Sequence, residues 1–302
     1  MRYSRFGYRR CYNTVRLSLV LLAMLPGVAL GQWVEWYSHG ELAWEYDNNV
    51  NLSAFSDDQS DGHRLLLDLS GGRFFQMNGR TRLHAQLDLG AIYYERFPSL
   101  SQLNSGATLG IKHKFGVGRQ VSRLNAFVTG QRWTYRDEDR NSTVLLAGGA
   151  WRRPWTPRFD TRLGYRRLWR DGSAGPRLAP GISSDVYDLR WHRLEASGHY
   201  RLTSRLLATA LVSYRNGDAL VDCKPGVARM PAASDFDAQT VNNVFGDCLL
   251  RTEGDAWGYG MRGNFRLTRH VTLTGGFQAF AWEIGPWDYD KHIFQLGVLA
   301  HF

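Results

Sequence analysis

Polar and apolar residues alternate along most of this chain with a period of two, the spacing of an extended strand rather than of a helix. In the clearest run, Thr81 to Phe97, the positions Leu83, Ala85, Leu87, Leu89, Ala91 and Tyr93 share one face. Arg82, His84, Gln86, Asp88 and Gly90 share the other. Ala107, Leu109, Ile111 and Phe115 oppose Thr108, Gly110, Lys112 and Lys114, and Leu124, Ala126, Val128 and Gly130 oppose Arg123, Asn125, Phe127 and Thr129. Phe159, Leu163 and Tyr165 stand against Asp160, Arg162 and Gly164. Near the end Trp257, Tyr259, Met261, Phe265 and Leu267 face away from Gly258, Gly260, Arg262, Asn264 and Arg266, and Val271, Leu273, Phe277, Ala279 and Ala281 away from Thr272, Thr274 and Gln278. The final strand sets Phe294, Leu296, Val298, Ala300 and Phe302 against Gln295, Gly297 and His301.

One face of each segment suits lipid and the other suits water. Backbone groups facing lipid must all be paired, and a closed sheet pairs them without leaving an edge. The connections sort into two kinds. Asn78-Gly79, Gly116 to Gly118, Pro154 to Pro157, Thr203-Ser204 and Thr268-Arg269 are compact, while Ser56 to Gly62, Pro98 to Asn104, Arg136 to Asn141, Asp171 to Ser184, Asn216 to Gly254 and Gly285 to Asp290 are longer. Short turns on one side and long loops on the other predict an all-β fold, a transmembrane antiparallel up-and-down barrel of about 12 strands over 32–302. Val50 to Ala54 and Val186 to Tyr200 leave that count open by two. In the second, Tyr187, Leu189 and Trp191 share one parity and Leu194 and Ala196 the other, so a β-bulge is expected near His192.

The first 31 residues read differently. Arg2, Arg5, Arg9, Arg10 and Arg16 carry no acidic neighbour, and Leu17 to Leu30 are almost wholly apolar, which predicts a secretory signal peptide with the mature chain starting at Gln32. Removing those five arginines takes 37 basic residues to 32 against 28 acidic, so the formal charge falls from +9 to +4 and no nucleic-acid partner is expected. Cys223 and Cys248 remain, and an even pair in an oxidising compartment predicts a disulfide rather than a metal site, since no further ligand accompanies them. They lie near the ends of the 216–254 loop. That loop is expected to be a stapled extracellular loop or, alternatively, a plug over the barrel mouth. Aromatics such as Trp44, Tyr46, Tyr93, Trp133, Trp151, Trp169, Trp257 and Trp282 concentrate at strand ends, as interfacial belts require.

Function then rests on the inward face. It is expected to carry Arg82, Lys112, Lys114, Arg123, Arg162, Arg166, Arg190, Arg262 and Arg266, with His84, His192, Asp88, Asp160 and Asp188. Guanidinium groups lining a narrow pore concentrate anions and hold carboxylates and phosphates bidentately. The competing reading pairs these arginines with Asp88, Asp160 and Asp188 in a network that only stabilises the barrel. No His is followed two residues on by Ser, the pair of outer-membrane lipid hydrolases, and His84 with Asp88 is the nearest approach to a protease couple. No catalytic residue, metal or cofactor is expected, although an outer-membrane hydrolase remains a distant alternative.

Two stretches carry a family resemblance. Gln295, Gly297, Ala300 and Phe302 match the terminal signal by which the bacterial β-barrel assembly machinery recognises its clients. Glu45-Tyr46-Asp47-Asn48-Asn49-Val50-Asn51-Leu52 resembles the first strand of porin-like outer-membrane β-barrel families associated with exopolysaccharide loci. The resemblance implies residence among outer-membrane lipid and lipopolysaccharide and a transported substrate; with the basic inward face, the expectation is a channel or export conduit for anionic solutes or acidic polysaccharide. The other reading is a closed interaction barrel that binds a partner through its outer loops.

Overall fold

The computed structural model describes residues 31–118, 120–178, 181–223, 236–284 and 287–302. The expected signal peptide, apart from its last residue, lies outside them. Among these residues thirteen strands form: β1 Gln32–Asp47, β2 Gly62–Gln76, β3 Thr81–Tyr94, β4 Gln102–Lys114, β5 Arg123–Tyr135, β6 Ser142–Pro154, β7 Phe159–Gly172, β8 Leu189–Arg201, β9 Leu206–Cys223, β10 Ala238–Asn242, β11 Asp247–Arg266, β12 Val271–Ile284 and β13 Trp287–His301.

Twelve of them close into an antiparallel barrel in chain order, with β10 as a short extra strand outside the ring. Closure is made by β13 against β1, from His39↔His301 to Asp47↔Ile293, and Ser38 and Phe302 exchange backbone hydrogen bonds of 3.1 Å in both directions below that ladder. The carboxyl-terminal residues therefore seal the sheet. No strand of the ring is left with an edge, as hydrocarbon surroundings demand.

Alternation holds around the ring. Leu42 and Trp44 on β1, Leu65, Leu67 and Leu69 on β2, Leu87 and Leu89 on β3 and Leu296 and Val298 on β13 are exposed large apolar residues. An apolar belt of this extent is the outer face of a membrane barrel, since a water-soluble monomer rarely tolerates such a patch. Short turns close the end that carries both termini, the periplasmic end of such barrels.

Val50 to Ala54, which the alternation left open, is loop, with Leu52 at a φ of 59°. There is no bulge at His192, where one was expected, because β8 pairs β7 without a shift from Leu189↔Arg170 to Arg201's neighbour Tyr200↔Phe159. The shift occurs instead between Trp33 and Trp36 at the start of β1. Leu189 and Trp191 take the inward parity because they stand close to the mouth, where loops cover the lumen and an apolar inward residue is buried.

The expected 216–254 loop is also shorter than its sequence suggests. β9 and β11 stay paired from Leu206↔Phe265 up to Cys223↔Cys248, where the disulfide joins them across 25 residues with 5.0 Å between Cα atoms. Gly217 lets β9 continue past β8: its φ is 123°, and a Cβ there would sit 2.4 Å from the Arg190 carbonyl oxygen.

Candidate functional site

Loops close over the extracellular mouth. The β10–β11 hairpin leaves the ring at β11 and reaches loops on the far side of it. Phe245 meets Phe97 in the β3–β4 loop with ring centroids 4.7 Å apart. The Asn243 side-chain amide donates to Asp139 (3.2 Å), and Arg140 in the β5–β6 loop donates to Asn242 (2.9 Å). The β7–β8 loop adds Pro176, whose carbonyl oxygen accepts from Thr240 (3.0 Å), and Ser183, whose carbonyl oxygen accepts the Gln239 N–H (2.8 Å). A hairpin touching loops on the opposite side of the ring lies across the mouth.

From β1 the loop 48–61 crosses toward the same point. Asn49 and Ser53 bond each other through side chain and backbone, both at 2.9 Å, which fixes the loop. Asn51 then donates to Asp222 (3.1 Å), and Asn242 donates to the other Asp222 oxygen (2.7 Å). Asp222 thus joins β9, the β1–β2 loop and β10 at one buried carboxylate. Apolar clusters finish the cover: Val186, Tyr187, Ala238 and Leu249 in one, Ala219, Val221, Ile284 and Tyr289 in another. Burial pushes the Tyr187 hydroxyl up to about 12, against the pull of the neighbouring Arg140 guanidinium, so it remains a neutral partner in this cover.

Beneath the lid the charges at the upper wall are paired. Arg64 binds Glu45 (2.5 Å) and donates to the Tyr94 hydroxyl (2.8 Å), and buried Lys291 binds Asp47 (2.8 Å) and the Asn49 carbonyl oxygen (2.9 Å).

The periplasmic half of the lumen is different. A cavity of about 560 Å³ is lined by Arg80, Arg82, Lys112, Lys114, Arg123, Arg152 and Arg162 and by no carboxylate. The strand registers put several of these bases directly side by side. Lys114 is opposite Arg123, Arg123 opposite Arg152, and Arg152 opposite Arg162, a row across β4 to β7. Arg82 is likewise opposite Lys112, and both cations lie over the Phe74 ring at 5.9 and 4.7 Å. Only Arg152 has a close acid in this row, a bidentate pair with Asp160 at 2.7 Å in both bonds. Like charges directly opposite on one face cost stability, about 0.2 to 1 kcal/mol each.

A second row crosses β7 to β9, where Arg166 is opposite Arg193 and Arg193 opposite Arg215. Arg193 reaches Glu195 at 3.7 Å, while Arg215 is held between the Trp191 and Trp282 rings at 4.7 and 4.8 Å.

Of the residues expected inside, Arg82, Lys112, Lys114, Arg123, Arg162, Arg166, Arg262 and Arg266 have the inward parity; Arg262 donates to Gln295 (2.7 Å) and Arg266 to the Ser204 carbonyl oxygen (2.8 Å). Arg190 does not. It is opposite Trp169 and shares its parity with exposed Leu194, so it lies on the outer face near the rim, and His192 goes with it. Asp188 is in the β7–β8 loop, where it accepts the Gly172 N–H (2.8 Å). His84 and Asp88 share the lumen face of β3, but Asp88 accepts from Thr108 (2.6 Å) and from Gln86. Inward Glu41, Asp68 and Glu195 were not anticipated; the run Leu65-Leu66-Leu67 hides the alternation that would have placed Asp68. Among the described residues no group of three acids, histidines or cysteines is placed to hold a metal.

No protein-family model and no curated protein sequence matches the chain. Solved structures do resemble it. An outer membrane channel from Pseudomonas putida F1 superposes with a TM-score of 0.53 at 15% identity, covering 88% of this chain and 95% of that one. The fold is that of an outer-membrane β-barrel. The NanC porin is similar at a TM-score of 0.48 and 10% identity over 86% of this chain and 98% of that one, and the KdgM porin at 0.42 and 7% over 87% and 99%.

Proposed function

We propose that this barrel is a channel that admits anionic solutes, with acidic polysaccharide as a long form of the same cargo and the lid as its extracellular gate. The observation that supports this reading is the row Lys114, Arg123, Arg152, Arg162, four bases adjacent across four strands around a water-accessible cavity. A purely stabilising network would alternate sign at those positions. Instead repulsion is accepted and one sign is focused by low-dielectric walls, which raises the local concentration of counter-ions. A chain of carboxylates or phosphates would engage several of these forks at once.

Residues Gln295, Gly297, Ala300 and Phe302 serve in this proposal as the signal to the assembly machinery, and lipopolysaccharide as the outer neighbour of the apolar belt. Planar-bilayer recording under a salt gradient tests the reading. Stable steps with an anion-selective reversal potential are expected, and K112Q/R123Q/R162Q should shift that potential toward cation selectivity. A reversal potential unmoved by the triple variant overturns the anionic specificity. A second reading, an interaction barrel with a permanently closed lumen, draws on the lid; silence at all voltages in both the wild type and a lid-loosened variant would favour it.

A further inference from the structure

The acids and bases of the mid-lumen stand on opposite walls. Glu41 on β1 is directly opposite Asp68 on β2, and Asp88 on β3 is opposite Ser70, one inward position from Asp68 on β2. In the twelve-strand ring, β1, β2 and β3 are each six strands from β7, β8 and β9 whichever way round one counts. That opposite wall carries Arg162, Arg166 and Arg193. Following the pairings from Glu41 through Asp68, Gly90, Asn104, Trp133 and Ser142 ends at Gly172. Strands tilted by roughly 35–45° carry that row up the barrel axis. The β7 residues level with Glu41 are therefore lower on the strand, at the Arg162 to Arg166 turn of the wall.

Nothing joins the two walls. Among the described residues no ion pair links Glu41, Asp68 or Asp88 to a base; Asp68 is exposed to the lumen and Arg162, Arg166 and Arg193 are half-buried. Arg193 Nε has no hydrogen-bond partner. Three carboxylates stand on one side, and on the other three guanidinium groups outnumber the carboxylate of Glu195, which lies 3.7 Å from Arg193. Such a pair of walls sets a field across the lumen. It lowers the energy of a solute with separated charges that lies along the field, and gives little to a solute of one sign, which gains at one wall what it loses at the other.

We propose that the mid-lumen is a binding subsite for a zwitterionic solute, with its ammonium toward Glu41, Asp68 and Asp88 and its carboxylate or phosphate toward Arg166 and Arg193. The inference refines the anionic channel: the basic cavity collects acidic groups, and the walls then select those that also carry a cation.

The test is saturation-transfer NMR on the full-length barrel in detergent, with 4-aminobutyrate, butyrate and butylammonium as probes of matched chain length and 6-aminohexanoate as a longer zwitterion. At least one zwitterion should bind five-fold or more tighter than butyrate. D68N/D88N should remove that advantage without weakening butyrate binding, and R166Q/R193Q should weaken both. Heat-modifiable migration on gels verifies that the variants fold, and E41Q offers a third handle on the acidic wall if either double variant does not. Equal binding of zwitterions and butyrate to the wild type, or an advantage that survives D68N/D88N, overturns the subsite. Binding with the expected pattern in a barrel that conducts nothing in bilayers would leave the subsite standing and refute the channel instead, so the two readings fail separately.

Discussion

Asn242→Ala should loosen the lid without loosening the barrel. The Asn242 side chain donates to buried Asp222 at 2.7 Å and accepts from Arg140 at 2.9 Å, so one truncation removes two hydrogen bonds to charged partners. Each such bond contributes about 1.5 to 3 kcal/mol. Both partners keep another: Asp222 still accepts from Asn51, and Arg140 still meets Asp137 at 3.1 Å. Water can also enter the gap once the lid moves. These compensations bring the total below the summed low end of about 3 kcal/mol, to about 2 kcal/mol, and at 1.4 kcal/mol per decade that multiplies the open population of the lid by roughly 30. Native-state hydrogen exchange reads this directly, because the β10 amides pair with β11 from Ala238↔Arg251 to Asn242↔Asp247 and exchange when that hairpin opens locally. Their rates should rise about 30-fold, while amides in β3 to β5 are unmoved. A rise below about three-fold would show that the apolar clusters alone hold the lid, and the keystone role given to Asp222 would be wrong.

Three further outcomes follow from the same geometry. C223S/C248S removes a closure across 25 residues, which should lower thermal stability by roughly 3 to 4 kcal/mol in the chain-entropy account, with the wild type in reductant falling to the same melting point; a reduced wild type that melts unchanged refutes it. K291M leaves Asp47 buried without its cation and should destabilise by about 3 to 5 kcal/mol in chemical unfolding, with D47N/K291M recovering part of the loss, and no recovery would mean the pair is not what holds β13 to the β1–β2 loop. G110V places a Cβ 2.1 Å from His84 Cε1 and 2.8 Å from the Ala126 carbonyl oxygen, so heat-modifiable barrel should be lost, and adding H84A should restore only a fraction because the backbone clash persists. Full restoration by H84A would place the whole conflict in the side chain.

The strand rhythm, the closed topology and the disulfide could be read from the amino-acid sequence because lipid and water impose opposite demands on alternate residues. Arg82, Lys112, Arg123 and Arg162 fell inside for the same reason. The reading failed where that contrast disappears. Near the mouth the lid buries the inward face, so Leu189 and Trp191 look like lipid-facing residues and reverse the apparent parity of β8, which turned Arg190 inward on paper and outward in space. β9 and β11 rise above the membrane, where Ala219, Val221, Leu249 and Leu250 pack against loops instead of lipid, and their periodicity no longer marks a strand. On β2, inward Leu66 interrupts the polar series and hides Asp68. The lid itself depends on contacts between residues far apart in the chain, such as Asn51 with Asp222 and Arg140 with Asn242, for which no local pattern exists.

The two halves of the lumen handle charge in opposite ways, and that contrast bears on which half does the selecting. At the lid every charge discussed has a close partner: Lys291 with Asp47, Arg64 with Glu45, Arg140 with Asp137, Asp222 with two amides. Such pairs fix a conformation but present no net charge to a passing solute. Below them, Lys114, Arg123, Arg152 and Arg162 form a row in which only Arg152 has a close acid, and Glu41 stands beside Asp68. Each like-charge contact costs a few tenths of a kcal/mol or more, so together they cost roughly a few kcal/mol, offset in part by Asp160 at Arg152 and Glu195 at Arg193. Stability is thus concentrated at the mouth and surrendered in the lumen. A residue placed to hold the fold would sit in the first arrangement; a residue placed to attract something absent from the fold sits in the second. In the proposed channel, that separation gives gating to the lid and selection to the walls beneath it.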